Sequence, residues 1–299
     1  MFRQVTIKLH ERSEITLGTQ SPEPEVPLDG FGELLELGVE KREFPAREAD
    51  VEILPADSLP ADAACFHRGR ITRSKLSPSG QSILICCNRK TSKNPFLQMR
   101  SLWQTSWTLA VMNASLRGTD AVLVHCTALE TERGVVLLFG ESGMGKSTAS
   151  ARWRAHGGKC ISDDMVLLDF SGGDTVYVRR MPTWSACREG KNEWNYPAGE
   201  ELPLTGVLAL GRNESGTGGD QIVELSAAQY YAQCYRSMFY WNLFYADKLP
   251  EAMQSKLTDR IRHFTEVVTI RFPPRALLTV LEGNPIPVIE SYLESLEAR

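Results

Sequence analysis

The chain has 299 residues, with 33 Lys and Arg against 37 Asp and Glu, a net charge of −4. No block of basic residues accumulates, so general affinity for nucleic acid or for an anionic membrane is not indicated, and any phosphate binding must be local. The N-terminal "MFRQVTIKLHERSE" lacks a signal-peptide core, and apolar runs such as "GVVLLFG" fall far short of the ~20 residues of a membrane span.

In chain order, the first 60 residues are rich in Glu and Pro, with short apolar stretches "QVTIKL" and "ITLG". They read as a small β-leaning region with long connections. A further strand, "QSILICC", precedes the polar "NRKTSKNP", and the boundary falls there, between residues 1–92 and 93–299. From Phe96 to Leu116, helical spacing of Leu97, Leu102, Trp103, Trp107, Leu109, Ala110 and Met112 predicts a helix that packs on a sheet and stops at Gly118. The stretch "AVLVHCTALETERGVVLLFG" predicts two strands joined by the turn "ETERG".

"KSTASARWRAH" then reads as a helix stopped by Gly157 and Gly158, and "KCIS" as a short strand ending in Asp163 and Asp164. "MVLLDF" and "TVYVRR" form a hairpin around "SGGD", and "GVLAL" and "QIVEL" are strands around "GRNESGTGG". "SAAQYYAQCYRSMFYWNLF" is an amphipathic helix with Ser226 as N-cap. The tail predicts a strand "EVVTIRF", a proline stop and a last pair of elements. The seven cysteines form an odd set with no C-x-x-C pair, which suits reduced thiols and a cytoplasmic protein.

The segment G-E-S-G-M-G-K-S (140–147) satisfies G-x-x-x-x-G-K-[ST]. A chance match in a chain this long occurs about once in a hundred sequences, and its place between strand and helix favours a phosphate loop over a plain turn. Glycine torsions turn backbone N–H groups onto the phosphates, and the helix N-terminus adds partial positive charge. The candidate nucleotide-binding set is Gly140, Glu141, Ser142, Gly143, Met144, Gly145, Lys146, Ser147 and Thr148. Lys146 would reach the β and γ phosphates of ATP, and the Ser147 hydroxyl would ligate Mg²⁺.

"DFSG" matches a GTPase-type D-x-x-G, but no N-K-x-D accompanies it, and "FSGGD" lacks the full transporter-ATPase signature. Both read as polar turns. The pair Asp163–Asp164 is more informative, because a right-handed crossover returns its strand beside the loop strand. Adjacent carboxylates on a strand point to opposite sides, so one can support Mg²⁺ with Ser147 while the other faces an incoming hydroxyl. His125 stands on the strand paired with the loop strand, within reach of the γ-phosphate or of an aspartate. By spacing alone it reads as a packing or surface residue.

The succession "VHCTALETERGVVLLFGESGMGKSTASARWRAHGGKCISDDMVLL" (124–168) resembles the core of the HPr kinase/phosphorylase family. Weaker similarity through "MPTWSACREGKNEW" and "LPLTGVLALGRNESGTGGDQIVELSAAQ" resembles the smaller HPr-kinase-related proteins of peptide-modification systems, including the SynChlorMet cassette protein group and lasso-peptide kinases. The resemblance implies an α/β fold: a phosphate-loop kinase core with a mixed sheet and flanking helices, plus the smaller β-leaning N-terminal domain. It implies a cytoplasmic ATP- and Mg²⁺-dependent serine kinase acting on a peptide or small protein. Asp163 then accepts the serine proton, Asp164 and Ser147 hold Mg²⁺, Lys146 neutralises phosphate charge, and His125 supports the catalytic aspartate or the phosphoryl group. No counterpart of the family's long glycine-rich signature segment is present, so the resemblance does not extend to phosphorolysis or to HPr as substrate.

Two other readings share the site: a nucleotide-binding accessory module without turnover, and a kinase of a small hydroxylated metabolite such as serine. Arg188 and Lys191, with Trp184 and Trp194 nearby, read equally as a solvated loop or as substrate contacts, and Arg236 as a helix-surface arginine. The N-terminal strand edge "QSILICC" is expected to serve packing or a homo-oligomer more than strand addition to an acceptor peptide.

Overall fold

The structure is a computed structural model. It describes residues 1–10, 13–21, 28, 37–44, 47–59, 67–68, 72–87, 95–141, 143–181, 201–213, 219–244, 251–279 and 283–297. The chain divides into two compact units, one of residues 1–123, 197–199 and 241–259, the other of 124–196, 200–240 and 260–299.

In the first unit seven strands form one mixed sheet: β1 (Phe2–Leu9), β2 (Ser13–Thr19), β3 (Glu40–Arg42), β4 (Val51–Ile53), β5 (His67–Arg68), β6 (Thr72–Leu76) and β7 (Ile83–Cys87), in the order β3–β1–β2–β4–β7–β6–β5. β1 and β2 are antiparallel with Val5 opposite Leu17 and Ile7 opposite Ile15, all buried. The strand in "QSILICC" runs parallel to β4 on one side and antiparallel to β6 on the other. Both its edges are therefore used, and the expected open edge is not there. The predicted helix forms as α1 (Pro95–Leu116) and packs on β2, β4, β6 and β7. Its end is tied to the sheet by Asn113, whose Nδ2 donates to the carbonyls of Asp50 (2.9 Å) and Gln81 (2.8 Å), and by an ion pair between Arg117 and the fully buried Asp50. Burial pushes the Asp50 carboxyl up, and the Arg117 guanidinium works against that shift.

The second sheet contains β8 (Ala121–Thr131), β9 (Gly134–Phe139), β10 (Cys160–Ser162), β11 (Met165–Asp169), β12 (Tyr177–Arg180), β13 (Glu201–Arg212), β14 (Gln221–Glu224) and β15 (Arg275–Thr279). Its path is β10–β8–β11–β12–β13–β15–β14, and β9 pairs with both β8 and β13. The pairings thus close a circuit, β8–β9–β13–β12–β11. β9 is buried along its whole length, which explains its uninterrupted apolar sequence. Val136 and Leu138 share a core with Leu208 and Leu210 of β13, with Ala149 and Trp153 of α2 (Lys146–Ala155), and with Ile289, Tyr292 and Leu293 of α5 (Ile286–Glu297).

Two further helices are α3 (Ala227–Phe244) and α4 (Glu251–Arg271). α3 begins with a reciprocal cap in which the Gln229 amide donates to Ser226 Oγ and the Ser226 amide to Gln229 Oε1, both at 3.3 Å. Ser226→Ala should lower stability by about 1 kcal/mol, read as a shift in the urea midpoint at unchanged slope. The predicted strand "EVVTIRF" is instead the last part of α4. Its β-branched residues favour a strand locally, but Leu257, Ile261, Phe264 and Val268 are buried at helical spacing. Thr265 and Thr269 donate their hydroxyls to the carbonyls one turn earlier, at 2.7 and 2.9 Å. Tertiary burial overrides the local preference.

Candidate functional site

The glycine-rich segment connects β9 to α2, as its sequence predicts. Gly143 (φ 84) and Gly145 (φ 100) take left-handed torsions that side chains resist. Gly145 opens α2 with no side-chain cap, and no acidic residue occupies the first turn. The amides at the helix start, with the dipole behind them, are thus left to an external anion. At the other end, Gly157 (φ 88) closes the helix. Its amide bonds to the Arg154 carbonyl and that of Gly158 to the Trp153 carbonyl, a Schellman stop. Trp153 and Ala149 lock the helix onto the sheet, so the loop is held between two fixed ends.

Lys146 is only 7% exposed, and its ammonium donates to the carbonyls of Gly140 (2.7 Å) and Glu141 (3.1 Å). Burial lowers its pKa. Ser147 and Thr148 are exposed on the first turn of α2. Ser142, Arg188, Lys191, Trp184 and Trp194 lie outside the described residues.

The aspartates arrive by a route that differs from the expected one. β10 pairs antiparallel with β8, on the side away from β9, so it is not the loop strand's neighbour. It nevertheless runs parallel to β9 with one strand between them, which brings its carboxyl end to the same rim of the sheet. Asp163 and Asp164 then lie in a bend, not in the strand. Ser162 Oγ accepts the amides of Asp164 (3.3 Å) and Met165 (3.1 Å), and the Cys126 amide donates to the Asp164 carbonyl (3.2 Å). The bend removes the alternation of an extended chain, and both aspartates line one cleft.

That cleft, about 380 Å³, is lined by His125, Gly143, Gly145, Lys146, Ser147, Thr148, Asp163, Asp164 and Arg212. His125 Nε2 lies 3.5 Å from Asp164 Oδ1. Burial first, and then the Lys146 charge, push the His125 pKa down to about 4, so the imidazole is neutral at neutral pH. A depressed histidine stabilises the fold above its unfolded value of about 6.5, and the contribution disappears as pH falls toward 4. His125→Gln should therefore lose less stability between pH 6.5 and 4 than the parent chain, by up to about 3 kcal/mol, in denaturant titrations across that range. Parallel curves would show that folding does not lower the His125 pKa.

Two residues escaped the sequence reading. Ser162 sets the aspartate bend, and a serine before two aspartates is a recognisable turn signal. Arg212, at the end of β13, donates its Nη2–H to the Gly143 carbonyl at 2.6 Å. Arg236 forms an exposed ion pair with Glu141 of the loop.

The fold and site together define a mixed α/β protein with a strand–glycine loop–helix unit opening on a polar cleft. The family model of the SynChlorMet cassette protein ScmC matches residues 84–293, and the chain belongs to that family. A solved structure of the Hpr(Ser) kinase/phosphatase from Coxiella burnetii is similar over 31% of this chain and 67% of that one, at 18% identity and a TM-score of 0.25. Comparison with curated proteins gave no match. Among the described residues no helix is long and apolar enough to cross a membrane.

Proposed function

We propose that the chain is an ATP-dependent phosphotransferase that passes the γ-phosphoryl group to a hydroxyl, that of a serine in a peptide or small protein. The observation that carries this reading is the meeting of Lys146, Ser147, both aspartates and His125 around one cleft at the start of α2. The cleft's volume falls in the range of small-molecule sites. The resemblance of residues 124–168 to HPr kinases adds the same roles to the same side chains.

The amides of Gly143 to Ser147 bind the phosphates, and Lys146 exchanges its loop carbonyls for β and γ phosphate oxygens. Ser147 Oγ and the Asp164 carboxylate are oxygen donors that would hold Mg²⁺, and the ion would supply charge to offset that of the phosphates. The Asp164 carboxylate lies 3.5 Å from the neutral His125 ring and feels the charge of Lys146. Asp163 accepts the hydroxyl proton as the acceptor oxygen bonds to the γ-phosphorus and the bond to the β–γ bridging oxygen breaks, releasing ADP.

The test is incubation with MgATP and candidate acceptors, followed by mass spectrometry. The family name speaks of a cassette, so peptides encoded beside the chain come first, with free serine as comparison. Acceptor-dependent gain of one phosphoryl group with release of ADP is expected. Nucleotide binding without acceptor-dependent turnover would reduce the chain to an accessory module.

A further inference from the structure

β13 runs parallel to the loop strand, with Ala209 level with Phe139. Leu208 and Leu210 lie beneath α2, in one core with Leu138, Ala149 and Trp153. Strand side chains alternate, so the next residue on that face is Arg212, at the point where apolar cover ends and the glycine loop crosses. There its Nη2 donates to the Gly143 carbonyl at 2.6 Å, and the side chain lines the cleft with Lys146, Ser147 and the aspartates. Two of the cations that reach the loop also line the cleft, and they come from different elements, Lys146 from the helix and Arg212 from the neighbouring strand.

We propose, resting on the phosphotransferase reading, that Arg212 is a γ-phosphate-binding residue that makes the site prefer a nucleoside triphosphate to a diphosphate. The helix-side residues Gly145 to Ser147 serve the phosphate at the helix start. Arg212 meets the middle of the loop at Gly143, and it lines the same cleft as Asp163 and Asp164. The Gly143 carbonyl uses one of the guanidinium's five N–H donors, and the planar fork matches two oxygens of a terminal phosphate. A triphosphate brings the added charge that this fork can pair, and a diphosphate does not. After transfer the contact is lost with the phosphoryl group, which favours release of ADP.

Arg212→Gln separates this role from simple pinning of the loop, because glutamine keeps an N–H donor for the Gly143 carbonyl but carries no charge. Affinities for the β,γ-imido analogue of ATP and for ADP are measured by calorimetry in the presence of Mg²⁺. The triphosphate should bind about tenfold to a hundredfold more weakly to the variant, and ADP within about threefold of the parent chain. Arg212→Lys, which keeps a point charge without the fork, should fall between. Equal losses for both nucleotides, or an unchanged ratio, would assign Arg212 to the loop alone and overturn the proposal while leaving the phosphotransferase reading intact. A parent chain that binds neither nucleotide would overturn both.

Discussion

Lys146→Met is expected to lower acceptor phosphorylation by at least about 10²–10³-fold. The ammonium is buried at the loop and holds the Gly140 and Glu141 carbonyls, a position from which it can move to phosphate oxygens without a large rearrangement. Methionine keeps the buried stem and removes only the charge and its donors, so the core contacts of α2 survive. Most phosphoryl-transfer catalysis is positioning and charge neutralisation, and Lys146 supplies both. Nucleotide affinity should fall as well. Single-turnover phosphorylation and nucleotide titration on the same preparation separate the two effects, and a variant within threefold of the parent rate would remove Lys146 from the mechanism.

Asp163→Asn should lower transfer by about 10²–10⁴-fold while leaving nucleotide affinity nearly unchanged. Asparagine keeps the shape of the bend set by Ser162 but accepts no proton. Asp164→Asn is the informative companion, because Asp164 is the aspartate beside His125 and Lys146. With the assigned roles, the Asp164 variant should need more Mg²⁺ for half-maximal turnover, and the Asp163 variant should show a low rate at every Mg²⁺ concentration. The reverse pattern would exchange the two roles.

The parts of the fold and site that were legible in the sequence are those written in contiguous residues. The loop, the helix from Lys146 to Ala155, its glycine stop and the hairpin turning at "ETERG" each depend on neighbours within about ten positions. Local steric and hydrogen-bonding rules therefore suffice for them. Arg212 depends on register between strands: it meets Gly143, 69 residues earlier, because β13 happens to be the parallel neighbour of β9. The place of "QSILICC" inside its sheet has the same origin, since strand order is decided by long-range pairing. "EVVTIRF" failed for a different reason, as its β-branched residues carry a local signal that the buried face of α4 overrules. Asp163 and Asp164 line the cleft with the loop because Ser162 holds them in a bend, which strand alternation alone does not predict.

The closed circuit of strands bears on the order in which the molecule assembles. β9 obtains one partner from the adjacent hairpin strand and the other, β13, from about 70 residues downstream. Closing such a distant contact costs chain entropy before any pairing energy returns. The glycine loop and its helix can form early as a local segment, yet the strand end that aims them is not fixed on both sides until residues beyond 200 have joined. A ligand that recognises the finished cleft therefore stabilises the completed second unit as a whole, and its binding reports that the chain has finished folding.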